Sequence, residues 1–191
     1  MLRRMLPADS EVTGLLALML LTDARRSART APDGSLVPLS EQDRGKWNQE
    51  LIAEGIALVE QALPKGQPGP YQIQAAIAAV HSEASTVDAT EWPQILALYD
   101  ILRALTPGPM VELNRAVAVA MVRGPREGLA ALDEIQGLGK HHRMLATRAH
   151  LLELAGDRTQ ATAVYKEAAR RATSLPERRY LAVKAQAHQV P

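Results

Sequence analysis

Three residues, Tyr99, Leu132 and Tyr165, recur at a constant separation of 33 positions, and that period restricts the fold more than any other feature of the 191-residue chain. Gly128 and Ala161 stand four residues before the last two, where a second helix must pass close to a first. Ala116 and Ala149, again 33 apart, supply the small residue of the first helices. Gly156 falls in the intervening turn, and Pro107 closes the helix that carries Tyr99. A period of about 34 residues belongs to a helix–turn–helix unit. Each such pair is apolar on two sides and cannot bury both alone, so pairs stack in a row.

These spacings predict an all-α fold of antiparallel hairpins stacked as a tetratricopeptide-like, right-handed array. Composition agrees. The chain has no Phe, only 3% aromatic residues, and a hydrophobic content of 47% in which Ala and Leu predominate. Ala suits helices that approach one another closely, and the β-branched and aromatic residues that strands favour are sparse.

Nine helices are expected. The first spans about 9–29, capped by Asp9 or Ser10, with Val12, Leu15, Leu16, Met19 and Leu20 on its buried face. The second opens at Ser40, with Asp43 three residues on as a capping-box partner, and runs to Leu63 behind Leu51, Ile52, Leu58 and Val59. A Gly/Pro-rich stretch over 64–70 ends it. The third, over 71–85, carries Ala75, Ala76, Ala78 and Ala79; the fourth starts at Thr90 as cap with Pro93 in its first turn. Helices over 110–122, up to 136, 141–154 and 158–172 follow, and Pro176 starts the last. The implied organisation is an N-terminal helical segment, 1–70, docked on repeats over 71–191. The repeats are about 71–108, 109–141 and 142–175, followed by a C-terminal helix. Leu145, Ala149, Leu152, Ala161, Tyr165 and Ala168 make 142–175 the best match.

Several function classes find no residues to carry them. Cysteine is absent, which removes disulfides, thiol nucleophiles and Cys-based metal sites, and fits a cytoplasmic protein. The longest apolar run, 15–21, is short of the roughly 20 residues a membrane span needs. His141 and His142, if both helical, point about 100° apart and share no metal. His81, His150 and His188 lack a partner at ligand spacing. No phosphate-cradling glycine loop or nucleophile elbow is present. The expectation is a non-enzyme without cofactors.

The formal charge of +1 conceals an asymmetry: 140–191 carries a net +6 and 1–139 a net −5. Arg170, Arg171, Arg178 and Arg179 form a candidate basic surface, read alternatively as solvated helix faces. Polar residues within apolar helices form a second candidate set: Asp23, Arg25 and Arg26; Asp43, Arg44 and Trp47; Tyr71, Gln72, Gln74 and His81; Asn114 and Arg115, with Tyr99 from the repeat. Buried polar groups need partners, so they are read either as an internal network or as a groove offering donors to a peptide or carboxylate.

Four ordered segments carry a family resemblance. They are 13–21 running into Asp23-Ala24-Arg25-Arg26, Gln42-Asp43-Arg44 with Trp47, 69–79 around Tyr71-Gln72-Ile73-Gln74, and 113–120 around Leu113-Asn114-Arg115-Ala116. Together they resemble the C-terminal tetratricopeptide-like extension of bacterial extracytoplasmic-function sigma factors, of the sigma-70 family. The resemblance implies a regulatory domain that controls transcription initiation through contacts with the sigma core domains of the same full-length protein, with RNA polymerase, or with a regulatory protein or peptide. It implies no membrane contact and only an indirect link to DNA. The family's promoter-binding and helix-turn-helix domains precede such an extension, and nothing in these residues replaces them. The chain is then an expressed domain or a truncated reading of a longer gene. Three alternatives stay open: a stand-alone adaptor that captures a peptide tail, a small-molecule-sensing helical domain, and direct DNA binding by the basic end.

Overall fold

The computed structural model describes residues 9–63 and 67–187. Among them the chain is all-helical, with α1 Ser10–Asp23, α2 Gln49–Ala62, α3 Pro70–Glu83, α4 Trp92–Leu105, α5 Pro109–Arg123, α6 Pro125–Asp133, α7 His142–Leu154, α8 Arg158–Arg171 and α9 Leu175–Ala187. Three short 3-10 turns, Arg26–Ala28, Leu39–Glu41 and Arg44–Lys46, lie between α1 and α2. None of the described helices is long and apolar enough to cross a membrane.

The chain divides into two compact units. The first comprises Met1–Arg29 and Leu39–Pro107, the second Thr30–Pro38 and Gly108–Pro191. The α3–α4 pair therefore groups with α1 and α2, so the boundary falls at Pro107, whereas the repeat pattern alone puts it at residue 70. The 30–38 loop belongs with the second unit. Leu36 N–H donates to the Pro176 carbonyl at 3.0 Å, and Arg179 donates to the Asp33 carbonyl at 2.6 Å.

In the first unit α1 packs against both α2 and α3, and α4 lies on α3. The buried face of α1 is Thr13, Gly14, Ala17 and Leu21, not the larger residues that the periodicity picks out; Met19 is 58% exposed. Close approach decides this. A Cβ placed on Gly14 would lie 2.7 Å from the Gln72 backbone nitrogen of α3, so only hydrogen fits there. The large aliphatics beside that seam, Leu16, Leu18 and Leu20, pack part-buried around it.

The first turn of α3 is satisfied from a distance in sequence. Glu11 of α1 accepts from the Tyr71 and Gln72 amides at 3.1 and 3.0 Å. Such a carboxylate meets orphan donors and the positive end of the helix dipole together. Gln72 is itself buried, donating to the Ala62 carbonyl at 2.8 Å and accepting from the Gly69 amide at 2.9 Å.

The start of α2 differs from the sequence expectation. Asp43 caps a three-residue turn through the Gly45 amide, and Asn48 is the true cap, accepting from Leu51 N–H at 3.0 Å. Ser40 sits in the middle of a 3-10 turn, Leu39–Glu41, and a second such turn over Arg44–Lys46 precedes the helix, which starts eight residues later than expected. Thr90 likewise caps nothing in α4; its hydroxyl turns back to the Thr86 carbonyl, and Glu91 holds the cap position.

In the second unit α5 packs on α6, α6 on α7, α7 on α8 and α8 on α9, while α5 also touches α7. The repeat positions have matching surroundings. Leu132 and Tyr165 are 0% and 1% exposed, and Ala116, Ala149 and Ala161 are equally buried. A Cβ on Gly128 would fall 2.4 Å from that of Ala120, which is why the second helix carries glycine where it crosses the first. Tyr99 of the first unit is only half-buried and does not share this setting.

Three outcomes follow. Replacing Gly14 by Val should destabilise the chain by about 1–3 kcal/mol or more, since the obstacle is backbone. Gly108→Ala, where a Cβ meets nothing within 4 Å, should stay within about 0.5 kcal/mol. Urea denaturation midpoints compare them directly. By the same assay Glu11→Ala should cost about 1–2 kcal/mol, as a lost cap does; an unchanged midpoint would mean solvent serves those amides equally well.

Candidate functional site

The densest group of unusual polar side chains lies in the first unit, where the end of α1 meets the turns before α2. Two hydrogen bonds fix that meeting: Asn48 N–H to the Ala24 carbonyl at 2.9 Å and the Ser27 hydroxyl to the Lys46 carbonyl at 2.7 Å. They bring Arg25 and Arg44, 19 residues apart, to one indole. The Arg44 guanidinium carbon lies 4.6 Å from the Trp47 ring centroid and that of Arg25 lies 5.9 Å away. Trp47 is 4% exposed.

Arg44 also closes α3. One of its terminal nitrogens donates to the His81 and Ala84 carbonyls at 2.6 and 2.7 Å, placing positive charge on the negative end of the helix. Trp92, at the start of α4, meets the His81 ring edge-on with centroids 5.3 Å apart. Arg25, Arg44, Trp47, His81 and Trp92 thus form one contiguous cluster.

Its electrostatics are one-signed. Burial, then the charges of Arg29 and Arg44, lower the Arg25 pKa to about 10, which leaves it charged at neutral pH. Burial, reinforced by Arg25 and Arg44, holds the His81 imidazole down at about 4, so it is neutral there. Arg29 donates to the Thr22 carbonyl. The cluster offers N–H donors and π faces but contains no nucleophile of its own.

The structure separates the other candidates. Asp23 and Arg26 pair with each other at the surface, and Asp43 caps its turn and lies 3.7 Å from Lys46. Tyr71 is exposed apart from its amide, Gln72 is an internal tie, and Gln74 turns back to the Pro70 carbonyl at 3.3 Å. Gln74 and His81 are therefore not joined, although they share a helix face. Asn114 is exposed, so it belongs to no internal network, while Arg115 beside it is half-buried and has a partner. Burial raises the Tyr99 hydroxyl to about 12.

The four terminal arginines do not act as one patch. Arg170 and Arg171 pair with Glu167, Arg178 donates to the Ala172 carbonyl at the end of α8, and Arg179 holds the 30–38 loop. His141 precedes α7 as its cap, so its ring stacks on that of His142 at 4.4 Å instead of diverging as two helical neighbours would. His142 lies 3.3 Å from Glu177. His188 lies outside the described residues, among which no cluster suited to a metal ion occurs.

Sequence reasoning missed Trp92 and the Glu153 centre. Glu153 accepts from the Tyr165 hydroxyl and from Lys184, each at 2.7 Å. Trp92 had a signal: it is one of only two tryptophans in a chain almost without aromatics.

Comparisons with known proteins place these features in context. A family of unknown function (DUF6596) matches residues 1–63, the part that contributes Arg25, Arg44 and Trp47. An uncharacterized protein of Rhizobium meliloti (strain 1021) is 39% identical over 182 residues, which cover 95% of this chain and 43% of that protein. The chain thus spans less than half the length of the curated relative it matches. No solved structure matches.

His81 supplies a pH prediction. Its folded pKa lies below the ordinary value, so the unfolded chain takes up the proton first as pH falls. The stability it contributes is complete above about pH 6.5 and is lost as pH drops toward 4, up to about 3 kcal/mol. Between pH 7 and 4.5 the unfolding free energy from urea melts should fall by about 2–3 kcal/mol more for wild type than for His81→Gln; equal falls would show that the neutral imidazole is not responsible.

Proposed function

We propose that this chain is the regulatory C-terminal part of a longer bacterial sigma factor of the extracytoplasmic-function group, a tetratricopeptide-like module that acts by protein–protein contact. The observation that carries the reading is the long relative: almost the whole chain aligns within a protein more than twice its length. The chain then works beside other domains, as the resemblance of its four ordered segments implies. Two further features support it. The segments around Gly14, Arg44 and Gln72 are those that interlock α1, α2 and α3, so the resemblance falls on residues that build the first unit. In the second unit α5–α6 and α7–α8 pack pairwise and the first helices of successive pairs touch, as stacked hairpins require. On this reading the partners are the sigma core domains and RNA polymerase, in the cytoplasm, and DNA is contacted only through them.

The test is to express the longer gene product with and without this region, and to add the 191-residue chain back in trans. Runoff transcription with core polymerase should change at least several-fold when the region is removed, and the separate sigma core should bind the chain in calorimetry. A gene with no sigma domains encoded in frame, or equal transcription with and without the region, would sink the proposal.

The exposure of Asn114 favours a second reading for α5 alone, in which its open face receives a peptide. Asn114→Ala should then leave stability within about 0.5 kcal/mol and weaken partner binding. A drop in melting temperature with binding intact points the other way.

A further inference from the structure

The cluster around Trp47 contains more donors than the protein satisfies. Four buried N–H groups have no hydrogen-bond partner: Arg25 Nε, Arg44 Nε, Trp47 Nε1 and Trp92 Nε1. They come from the segment just after α1, the turn before α2, its flanking residue and α4, yet all belong to residues grouped around one indole and one imidazole. A buried unpaired donor bears its full desolvation cost, so folded chains keep few of them. The four donors belong to one cluster of side chains in contact.

The charge of the spot says what kind of acceptor is missing. Arg25 and Arg44 share the Trp47 ring, and Arg29 adds a third guanidinium close enough to act on Arg25. His81, the titratable group facing them from α3, is neutral and brings no compensating charge. The nearest acids in sequence are occupied elsewhere, Asp23 with Arg26 and Asp43 with Gly45 and Lys46. A water molecule would satisfy a donor and leave the guanidinium charges as they are, whereas an oxyanion does both. Arg25 and Arg44 are themselves only half-buried, so solvent reaches part of each side chain.

We infer that the Arg25–Arg44–Trp47–Trp92 cluster is a binding site for an oxyanion, a carboxylate or phosphate group held by guanidinium and indole N–H donors. The inference is independent of the sigma-factor reading, because it uses only side chains of the first unit. An oxyanion there ties α1 to α4 across α3, so its arrival stiffens the unit that contains Gly14 and Gln72. The group can belong to a free metabolite or to an acidic residue of a larger molecule; both present the same oxygens.

The two tryptophans make the test direct, since the full chain gives only two indole N–H resonances. Titrating 15N-labelled protein with acetate, and separately with inorganic phosphate, against sodium chloride at equal ionic strength should move both resonances in a saturable way with the oxyanions only. Tighter binding of acetate assigns the site to carboxylates, and tighter binding of phosphate to phosphorylated ligands. Arg25→Gln should weaken the response about tenfold or more, as loss of a charged hydrogen bond does. Trp92→Phe keeps the ring, loses one N–H and checks the result should Arg25→Gln misfold; the Trp47 resonance should still shift, at higher ligand concentration. Indole resonances that stay fixed, that follow chloride equally, or that titrate identically in Trp92→Phe would overturn the assignment.

Discussion

Everything in the first unit depends on how closely two helices come together. Gly14 on α1 lies against the backbone of Gln72 on α3, at a distance no side chain could occupy. That approach lets Glu11, one turn earlier, reach the exposed amides of α3, and lets Gln72 turn inward to the end of α2. One missing methyl group therefore sets the position of three helices. Packing then follows from area, with Ala17, Leu21, Ile52, Leu58, Val59 and the alanines of α3 closing the interior. A larger residue at position 14 would push α1 outward and break polar ties and apolar contacts in one movement.

The same constraint explains what was and was not legible in the sequence. Helix existence was clear, because Pro and Gly punctuate nearly every boundary and the Ala/Leu pattern has helical period. The face of α1 was misread by one position, because a scale that looks for large apolar side chains overlooks glycine and alanine at the seam. The start of α2 was misplaced because Asp43 carries a cap signature that a three-residue turn uses as well as a helix does. Boundaries set by partners distant in sequence were out of reach altogether: Glu11 caps a helix about 60 residues away, and no local rule links them.

The candidate site shows a related limit. Arg25, Arg44, Trp47 and His81 stood out individually as polar or aromatic residues in apolar surroundings. Their convergence did not, since it rests on two backbone-level ties between the end of α1 and the turns before α2. Residues chosen by the same criterion scattered elsewhere. Asp23, Arg26 and Asp43 serve the surface, Gln72 serves the core, and Asn114 faces outward. A polar residue in an apolar helix signals a required partner, and only the fold says whether that partner is backbone, solvent or a ligand.

The excess positive charge of 140–191 is the remaining sequence feature with a functional claim, and part of it is taken up within the second unit. Binding a duplex needs cations free to replace condensed counterions along a continuous stripe. Here Arg178 and Arg179 are spent on carbonyl groups inside the unit, Arg170 and Arg171 share one carboxylate, Arg148 pairs with Asp133, and Lys184 is held by Glu153 beneath Tyr165. Pairing leaves the net charge unchanged but fixes where these cations point: at the end of α8, at the 30–38 loop, and at the carboxylates of Glu167, Asp133 and Glu153. Lys140, Arg143, Arg158 and Lys166 remain exposed, and the field of the net charge acts at long range on any acidic partner, protein or nucleic acid.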